Sequence, residues 1–124
     1  MTAFTPGDRI SREAAVDLRG YRYRAVKLDA NERVVLATAG TDDIIGVLDN
    51  EPKAGETADI VLINGQGTFK TKASANIAKG ALITATTEGK AVTATTTGHR
   101  VYGRAIRAGV TDEVIEYIKM NEKV

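Results

Sequence analysis

The chain has 124 residues, and its 17 Lys and Arg side chains nearly balance 16 Asp and Glu side chains, leaving a formal charge of +1. This balance disfavours a dedicated nucleic-acid-binding protein, which carries a strongly basic surface, and the lack of cysteine excludes disulfides and cysteine-based zinc sites. No apolar run approaches the roughly 20 residues needed to span a bilayer, so no membrane segment is expected.

Residues 1–19 are predicted to form a flexible N-terminal arm. The sequence Pro6-Gly7-Asp8 is typical of a turn, and because residues 1–9 lack the apolar stretch of a signal peptide, none is expected. Residues 11–18 fit a short helix with Ser11 as its cap, but they fit an extended segment equally well. The arm carries three cations, Arg9, Arg12 and Arg19, and we expect it to contribute little to a core.

The rest of the chain, residues 20–124, is predicted to be a single β domain. Residues 21–28 alternate strictly, which predicts a strand with Tyr21 and Tyr23 facing inward and Arg22 and Arg24 facing water. Further strands are predicted at residues 33–38, 44–48, 58–63, 68–72, 81–86 and 91–96. Regular short strands with glycine-bearing turns indicate a small β-barrel or sandwich.

Two hairpins are predicted within this pattern. Asn64-Gly65 is expected to join 58–63 to 68–72, because both residues tolerate positive φ, and Glu88-Gly89 is expected to join the strands on either side of it. Residues 111–118 fit a helix by their early acids and apolar spacing, but the repeat described next favours a strand.

The chain contains a weak internal duplication. Residues 34–47 recur as residues 91–104, so that Gly46 and Gly103 are equivalent, and after these glycines the similarity continues through a loop three residues shorter. The repeat units are predicted at about 23–63 and 80–118. A duplicated unit that packs on its twin is expected, and because the core has no Trp and few other aromatics, we also expect copies of the chain to associate.

The residues that carry catalysis or bind cofactors are scarce. His99 is the only histidine and lies in a predicted turn. The acidic pair Asp42-Asp43 opens a strand, where neighbouring side chains point to opposite faces and cannot share a metal ion. The sequence Gly65-Gln66-Gly67 precedes a strand, whereas a dinucleotide fingerprint needs a helix there. We therefore predict no catalytic residue, no metal site and no cofactor, and hence no enzyme.

One alternative function rests on Tyr21-Arg22-Tyr23-Arg24, which pairs cations with aromatic rings as single-strand-binding surfaces do. A small nucleic-acid-binding β-barrel therefore remains the second interpretation, with the near-zero charge against it. Arg104 and Arg107 suit an exposed strand edge or the rim of an interface. The candidate interface residues are Arg9, Arg12, Arg19, Tyr21, Arg22, Arg24, Arg104 and Arg107.

The order and spacing of several short motifs resemble the capsid decoration proteins of tailed bacteriophages, also called cement or head-stabilising proteins. The resemblance covers roughly residues 15–120. It runs through Asp17-Leu18, Tyr23-Arg24-Ala25-Val26-Lys27-Leu28-Asp29, Ile45-Gly46-Val47-Leu48, Ala54-Gly55-Glu56, Ile77-Ala78-Lys79-Gly80-Ala81-Leu82-Ile83-Thr84, Gly89-Lys90-Ala91-Val92 and Gly103-Arg104-Ala105.

This resemblance implies a β-rich structural protein without enzymatic activity. It implies a homotrimer on the outside of an icosahedral capsid, with the major capsid protein as its partner, so the expected location is the virion after synthesis in the host cytoplasm. Such a trimer would stabilise the shell against the pressure of packaged DNA. The family offers no catalytic residues to transfer to this chain. The basic N-terminal arm of this chain departs from the family pattern.

Overall fold

The computed structural model describes residues 7–124 of the chain as two antiparallel β-sheets of five strands each. The first sheet contains β1 (Arg9–Glu13), β2 (Ala25–Leu28), β3 (Val34–Leu36), β4 (Gly46–Leu48) and β5 (Thr57–Leu62). The second contains β6 (Thr68–Lys72), β7 (Leu82–Ala85), β8 (Ala91–Thr93), β9 (Arg100–Ala105) and β10 (Val114–Lys123), with a 3₁₀ turn at Thr87–Gly89. The predicted all-β class is confirmed, and the arrangement is sandwich-like without a closed barrel.

The two sheets repeat the same topology. The strand order is β1-β5-β4-β2-β3 in the first sheet and β6-β10-β9-β7-β8 in the second, so each strand of one has a counterpart in the other. Gly46 pairs with Leu62, and Gly103 pairs with Lys119 in the equivalent register. The predicted duplication is therefore present in the fold. We call residues 9–62 the first unit and residues 68–123 the second unit.

The loops before β5 and β10 have equal lengths, so the predicted three-residue shortening is wrong. The backbone N–H of Lys53 donates to the Glu56 carboxylate at 2.7 Å, and that of Val110 donates to the Glu113 carboxylate at 3.3 Å. The prediction was misled by two glycines that are not equivalent. The counterpart of Gly55 (φ 86°) is Asp112 (φ 66°), since aspartate also tolerates the left-handed conformation.

The segment from residue 9 to residue 19 is part of the fold, so the predicted arm is wrong there, and the part of it at residues 1–6 lies outside the described residues. Strand β1 pairs with β5 along its length, and Ala14 and Leu18 beyond it are fully buried. Just before β1, the Asp8 carboxylate accepts a hydrogen bond from Lys119 Nζ at 3.3 Å. Sequence reasoning left residues 11–18 open between a helix and an extended segment. It did not predict the pairing of β1, because β1 is a polar edge strand with one apolar residue, Ile10.

Three other local predictions are decided by the pairing. The strand predicted over residues 21–28 begins only at Ala25, because Tyr23 has a φ of 68° and interrupts it. The hairpin at Asn64-Gly65 is wrong, since β5 and β6 lie in different sheets and the segment links the two units. The hairpin between β7 and β8 is confirmed, and so is the strand interpretation of residues 111–118, which fall largely within β10.

Each unit has its own small core, built from seven equivalent positions. In the first unit these are Ala14, Leu18, Val26, Val34, Leu48, Ala58 and Ile60, and in the second they are Ala73, Ile77, Ile83, Ala91, Ala105, Ile115 and Tyr117. The second core continues into an inter-unit interface, where Ala25, Ala37, Ile44 and Val47 of the first unit, and Ile63 just after it, meet Ala85 and Tyr102 of the second. The units are thus joined through buried apolar surface, which stabilises their packing.

Candidate interaction surfaces

Arg9 and Arg22 converge on one carboxylate in the first unit. Arg9 Nη1 lies 2.7 Å from Asp49 Oδ2, and Arg22 Nη2 lies 3.1 Å from Asp49 Oδ1. Burial of Asp49 opposes its ionisation, but the hydrogen bonds from the two guanidinium groups outweigh it and lower the pKa of Asp49. The shared carboxylate ties β1 to the segment before β2, while both arginine side chains remain about half exposed.

The aromatic and cationic side chains of residues 21–24 contact one another. The Arg24 guanidinium lies 5.1 Å from the centroid of the Tyr21 ring, and that of Arg22 lies 4.7 Å from the Tyr23 ring. The predicted separation onto two faces is therefore wrong, and the cause is the positive φ of Tyr23, which breaks the alternation. The other neighbour of the Tyr23 ring is Phe69, at a centroid distance of 5.8 Å.

Arg24 belongs to the inter-unit interface, not to water as predicted. It is only 6% exposed, and its Nη1 donates to the backbone oxygen of Glu88 at 3.0 Å. Tyr21 Oη donates to the Glu88 carboxylate at 3.2 Å. Both side chains thus hold the turn of the second unit against the first, and Arg24 has little surface left for an external partner.

The remaining candidate cations are more accessible. Arg19 forms a 2.7 Å ion pair with Asp17, and the hydrogen bonds from Arg19 lower the pKa of Asp17 to about 2. Among residues 7–124, the Arg12 guanidinium donates only to the backbone oxygen of Ser11, at 2.8 Å. Arg104 and Arg107 are exposed in and just after β9. The contacts therefore divide the eight candidates into separate groups and do not gather them into one site.

A surface that sequence reasoning missed lies on the outer side of the second sheet. Leu82, Arg104, Ile118 and Thr68 stand side by side across β7, β9, β10 and β6. Ile118 is 40% exposed, and Val114, four residues earlier in β10 and on the same side, is 44% exposed. Lys70 and Lys72 point to the same side. Glu116 lies between Val114 and Ile118 on this side, and its carboxylate accepts a hydrogen bond from Thr68 at 2.8 Å. We call the residues Leu82, Arg104, Val114, Glu116, Ile118, Lys70 and Lys72 the open face.

The matching register could have revealed this surface. With the constant spacing of 57 residues, Val61 corresponds to Ile118 and Val47 to Arg104, so buried positions in one unit align with exposed ones in the other. The predicted shift of three residues hid that correspondence. Exposed aliphatic side chains beside cations are typical of an interaction surface.

The model of the phage cement protein family matches residues 21–119, nearly the whole of both units. The chain belongs to the phage cement protein family. Membership gives it a structural role at the phage capsid, as the sequence resemblance implied. No curated protein sequence is significantly similar to this cement protein.

Solved structures support the fold of the cement protein. The crystal structure of the head fibre gp8.5 N base in bacteriophage phi29 is 17% identical in sequence, with a TM-score of 0.70. The match covers 94% of this chain and 96% of the phi29 chain. At this identity the likeness concerns the architecture, and it extends to both units of the cement protein.

The groups with potential reactivity in the cement protein make structural contacts. His99 lies in the turn before β9 and packs against the backbone of Gly40. Tyr102 hydrogen-bonds to Thr71 at 2.8 Å, and burial raises its pKa. Within residues 7–124, no cluster of three or more His, Asp or Glu residues could hold a metal ion. The same residues include no helix with the length and apolarity to cross a membrane.

Proposed function

We propose that this cement protein binds the outer surface of a phage capsid as a homotrimer and stabilises the shell against the pressure of packaged DNA. The observation that carries the proposal is the family match over residues 21–119. The protein is made in the host cytoplasm and resides on the capsid exterior, its partner is the major capsid protein, and its role is non-enzymatic.

The physical basis of stabilisation is preferential binding to the assembled shell. A ligand that binds only the assembled state lowers its free energy by mass action. A trimer offers three equivalent contacts, and once one contact has formed the others benefit from a high effective concentration. Modest contacts on each copy are then sufficient to clamp neighbouring capsomers.

The capsid contact that we propose is the basic side of the first unit. Arg9, Arg19 and Arg22 have side chains that are 55%, 59% and 48% exposed, and Arg12 lies beside them in β1. Their present partners, Asp17 and Asp49, are on the same unit. The exposed pair of Arg19 with Asp17 contributes little to stability, so Arg19 can exchange its partner for a carboxylate on the shell at small cost. The Asp49 carboxylate is only 17% exposed, so Arg9 and Arg22 contact the shell through their exposed sides while they stay paired with it.

Binding to decoration-free capsids of the phage that encodes the protein tests the proposal. We expect co-sedimentation with these capsids and a higher temperature of disruption for DNA-filled capsids that carry the protein. The double variant Arg19→Glu/Arg22→Glu should bind about tenfold more weakly, whereas the control Lys79→Glu, an exposed charge reversal in the second unit, should bind normally.

Two results would contradict parts of this proposal. Equal occupancy by the double variant and the control would move the contact away from the basic side of the first unit. A complete lack of binding to decoration-free capsids would contradict the capsid-binding function itself. The structure does not favour the second candidate function, nucleic-acid binding. The ring faces of Tyr21 and Tyr23, on which bases would stack, contact guanidinium groups of the same chain.

A further inference from the structure

Equivalent residues on the central strands are buried in the first unit and exposed in the second. In the first unit, Ala25, Val47 and Val61 stand in register across β2, β4 and β5, and none is more than 3% exposed. In the second unit, the equivalent residues Leu82, Arg104 and Ile118 belong to the open face. The fold thus contains one covered copy and one uncovered copy of the same surface.

A turn of the second unit covers part of this surface in the first unit. It is the turn Thr87–Gly89 between β7 and β8, and Gly89 lies so close to β2 that a Cβ there would be 2.5 Å from the backbone oxygen of Ala25. The backbone N–H of Lys72, at the end of β6, donates to Tyr23 O at 3.0 Å beside it. The contact is head to tail, because different surfaces of the two units meet.

The first unit has the equivalent turn, and that turn is free to make the same contact. Residues 30–32 connect β2 to β3 and are all exposed, and Glu32 corresponds to Gly89. Both residues have positive φ, 61° for Glu32 and 70° for Gly89, and each donates its backbone N–H to the residue three positions earlier, at 3.0 Å. The turns differ at the preceding residue, since Glu88 has a φ of 57° and Asn31 has no positive φ. Within residues 7–124 the Glu32 carboxylate has no hydrogen bond or ion pair.

Charge makes the exposed turn and the open face complementary. The open face carries the cations Arg104, Lys70 and Lys72 and one acid, Glu116, which stands opposite Lys70, so its net charge is positive. None of the three cations forms an ion pair inside the described part of the chain. The turn region carries Glu32 together with Asp29 and Glu13, and the last two approach Arg33 at 3.8 and 3.7 Å. Three acids against one arginine leave this region net negative, opposite to the open face.

We propose that the open face of the second unit binds the turn at residues 30–32 of a second copy of this chain, with the Glu32 carboxylate paired to Arg104. The contact repeats the inter-unit packing between molecules but with different side chains. Within one chain, Gly89 approaches the backbone of Ala25 closely. In the proposed contact between chains, the longer Glu32 side chain holds the two backbones further apart. Arg104, which stands where the first unit has Val47, fills the added space and pairs with Glu32.

This arrangement is a heterologous interface, which closes into a ring when the rotation between copies permits. Three copies would give a ring of six similar units, so the inference specifies the contact behind the homotrimer of the proposed function and rests on that self-association. It assigns the second unit to self-association and leaves the basic side of the first unit for the capsid.

Charge reversal on each side of the contact tests the inference. Native mass spectrometry and light scattering at micromolar concentration should show an oligomer for the wild type. Arg104→Glu and Glu32→Arg should each weaken association about tenfold, and the double variant Glu32→Arg/Arg104→Glu should regain most of it. Lys53→Glu, an exposed charge reversal outside both surfaces, is the matched control, and thermal melting verifies that every variant folds.

The outcomes separate this inference from the proposed function. Wild-type association by Arg104→Glu would overturn the open-face contact while leaving the homotrimer intact. Loss of association in both single variants without recovery in the double variant would overturn the pairing of Glu32 with Arg104. A wild-type protein that stays monomeric at every concentration would contradict both the inference and the homotrimer, whereas capsid binding is measured independently.

Discussion

The two units share a topology but differ in how they meet their surroundings. The first unit is covered on both sides of its central strands, by its own core residues Val26 and Leu48 and by the second unit over Ala25 and Val47. The second unit buries one side and leaves the other exposed. The duplication therefore supplies one surface that is used within the chain and one that is available to another molecule.

The side chains at equivalent positions have diverged to suit these roles. Tyr117 of the second core replaces Ile60 of the first and packs edge to face on Tyr102 with a centroid distance of 5.4 Å. At the turn that crosses between units, Gly89 stands where the first unit has Glu32. The larger aromatic core and the glycine both lie at the inter-unit interface, so the second unit is the more specialised of the two for packing on its twin.

Valine at the two equivalent glycines should give the largest effect. A Cβ on Gly46 would contact the backbone oxygen of Val61 and lie 2.5 Å from Ile60 Cγ2, whereas a Cβ on Gly103 would first meet the Tyr117 ring. A backbone atom yields less than a ring. We expect Gly46→Val to lower the free energy of unfolding by about 3 kcal/mol and Gly103→Val by about 2 kcal/mol.

Chemical denaturation of both variants and the parent measures these changes. Equal stability of all three proteins would contradict the close approach of β4 to β5 and of β9 to β10 on which the matched register depends. A larger loss for Gly103→Val than for Gly46→Val would instead show that the aromatic core of the second unit is the more rigid one.

Substitutions at the equivalent turn residues Gly89 and Glu32 should change the free energy of unfolding by an intermediate amount, with opposite signs in the two units. Gly89→Ala places a methyl group against the backbone of Ala25 and forces alanine into positive φ, so we expect a loss of about 2 kcal/mol. Glu32→Gly relieves an unfavourable φ at an exposed turn and should be neutral or stabilising by up to about 1 kcal/mol.

Thermal melting of the monomeric form compares the two turn variants without interference from association. If Gly89→Ala and Glu32→Gly change the melting temperature by similar small amounts, the turn Thr87–Gly89 does not pack tightly on the first unit. The distinction between a covered and an uncovered copy of the same surface would then lose its main structural support.

Much of the fold could be predicted because the duplicated strands β2 to β4 and β7 to β9 keep apolar alternation and a glycine at the same place. Strand β1 could not, since its pairing with β5 joins residues 44 to 52 positions apart in sequence, and Ala14 and Leu18 contact Val34 and Pro52, 20 and 34 positions away. The positive φ of Tyr23 could not be predicted either. Its counterpart Gly80 is of a residue type that commonly adopts positive φ, whereas tyrosine rarely does.

The interaction surfaces were less predictable than the fold. Composition and pattern identified the arginines, but the neutralisation of Arg9 and Arg22 by Asp49 follows only from the folded arrangement. The open face depends on the register of β10, where an error of three residues changes which side chains of Val114 to Ile118 are equivalent to buried ones. Local patterns define strands well, but they do not define which strand face lacks a partner.

The smallest expected effect concerns an ionic contact that only the first unit has. Asp49 accepts hydrogen bonds from Arg9 and Arg22, and its counterpart in the second unit is the uncharged Ile106. These contacts lower the pKa of Asp49 in the folded protein. They therefore stabilise the fold fully at pH values above the pKa of Asp49 in the unfolded chain, about 3.9. That stabilisation is lost as the pH falls through the lower, folded-state pKa.

Asp49→Asn should therefore be less stable than the parent by less than about 1 kcal/mol at neutral pH, since the pair is partly exposed and screened by solvent. The difference should shrink as the pH falls below about 4 and vanish once Asp49 of the parent is protonated in both states. Denaturation at several pH values measures it, and Ile106→Val in the second unit, a change without charge, serves as the control. A constant difference at every pH would mean that the carboxylate acts through packing alone, and the first unit would then have no ionic advantage over its twin.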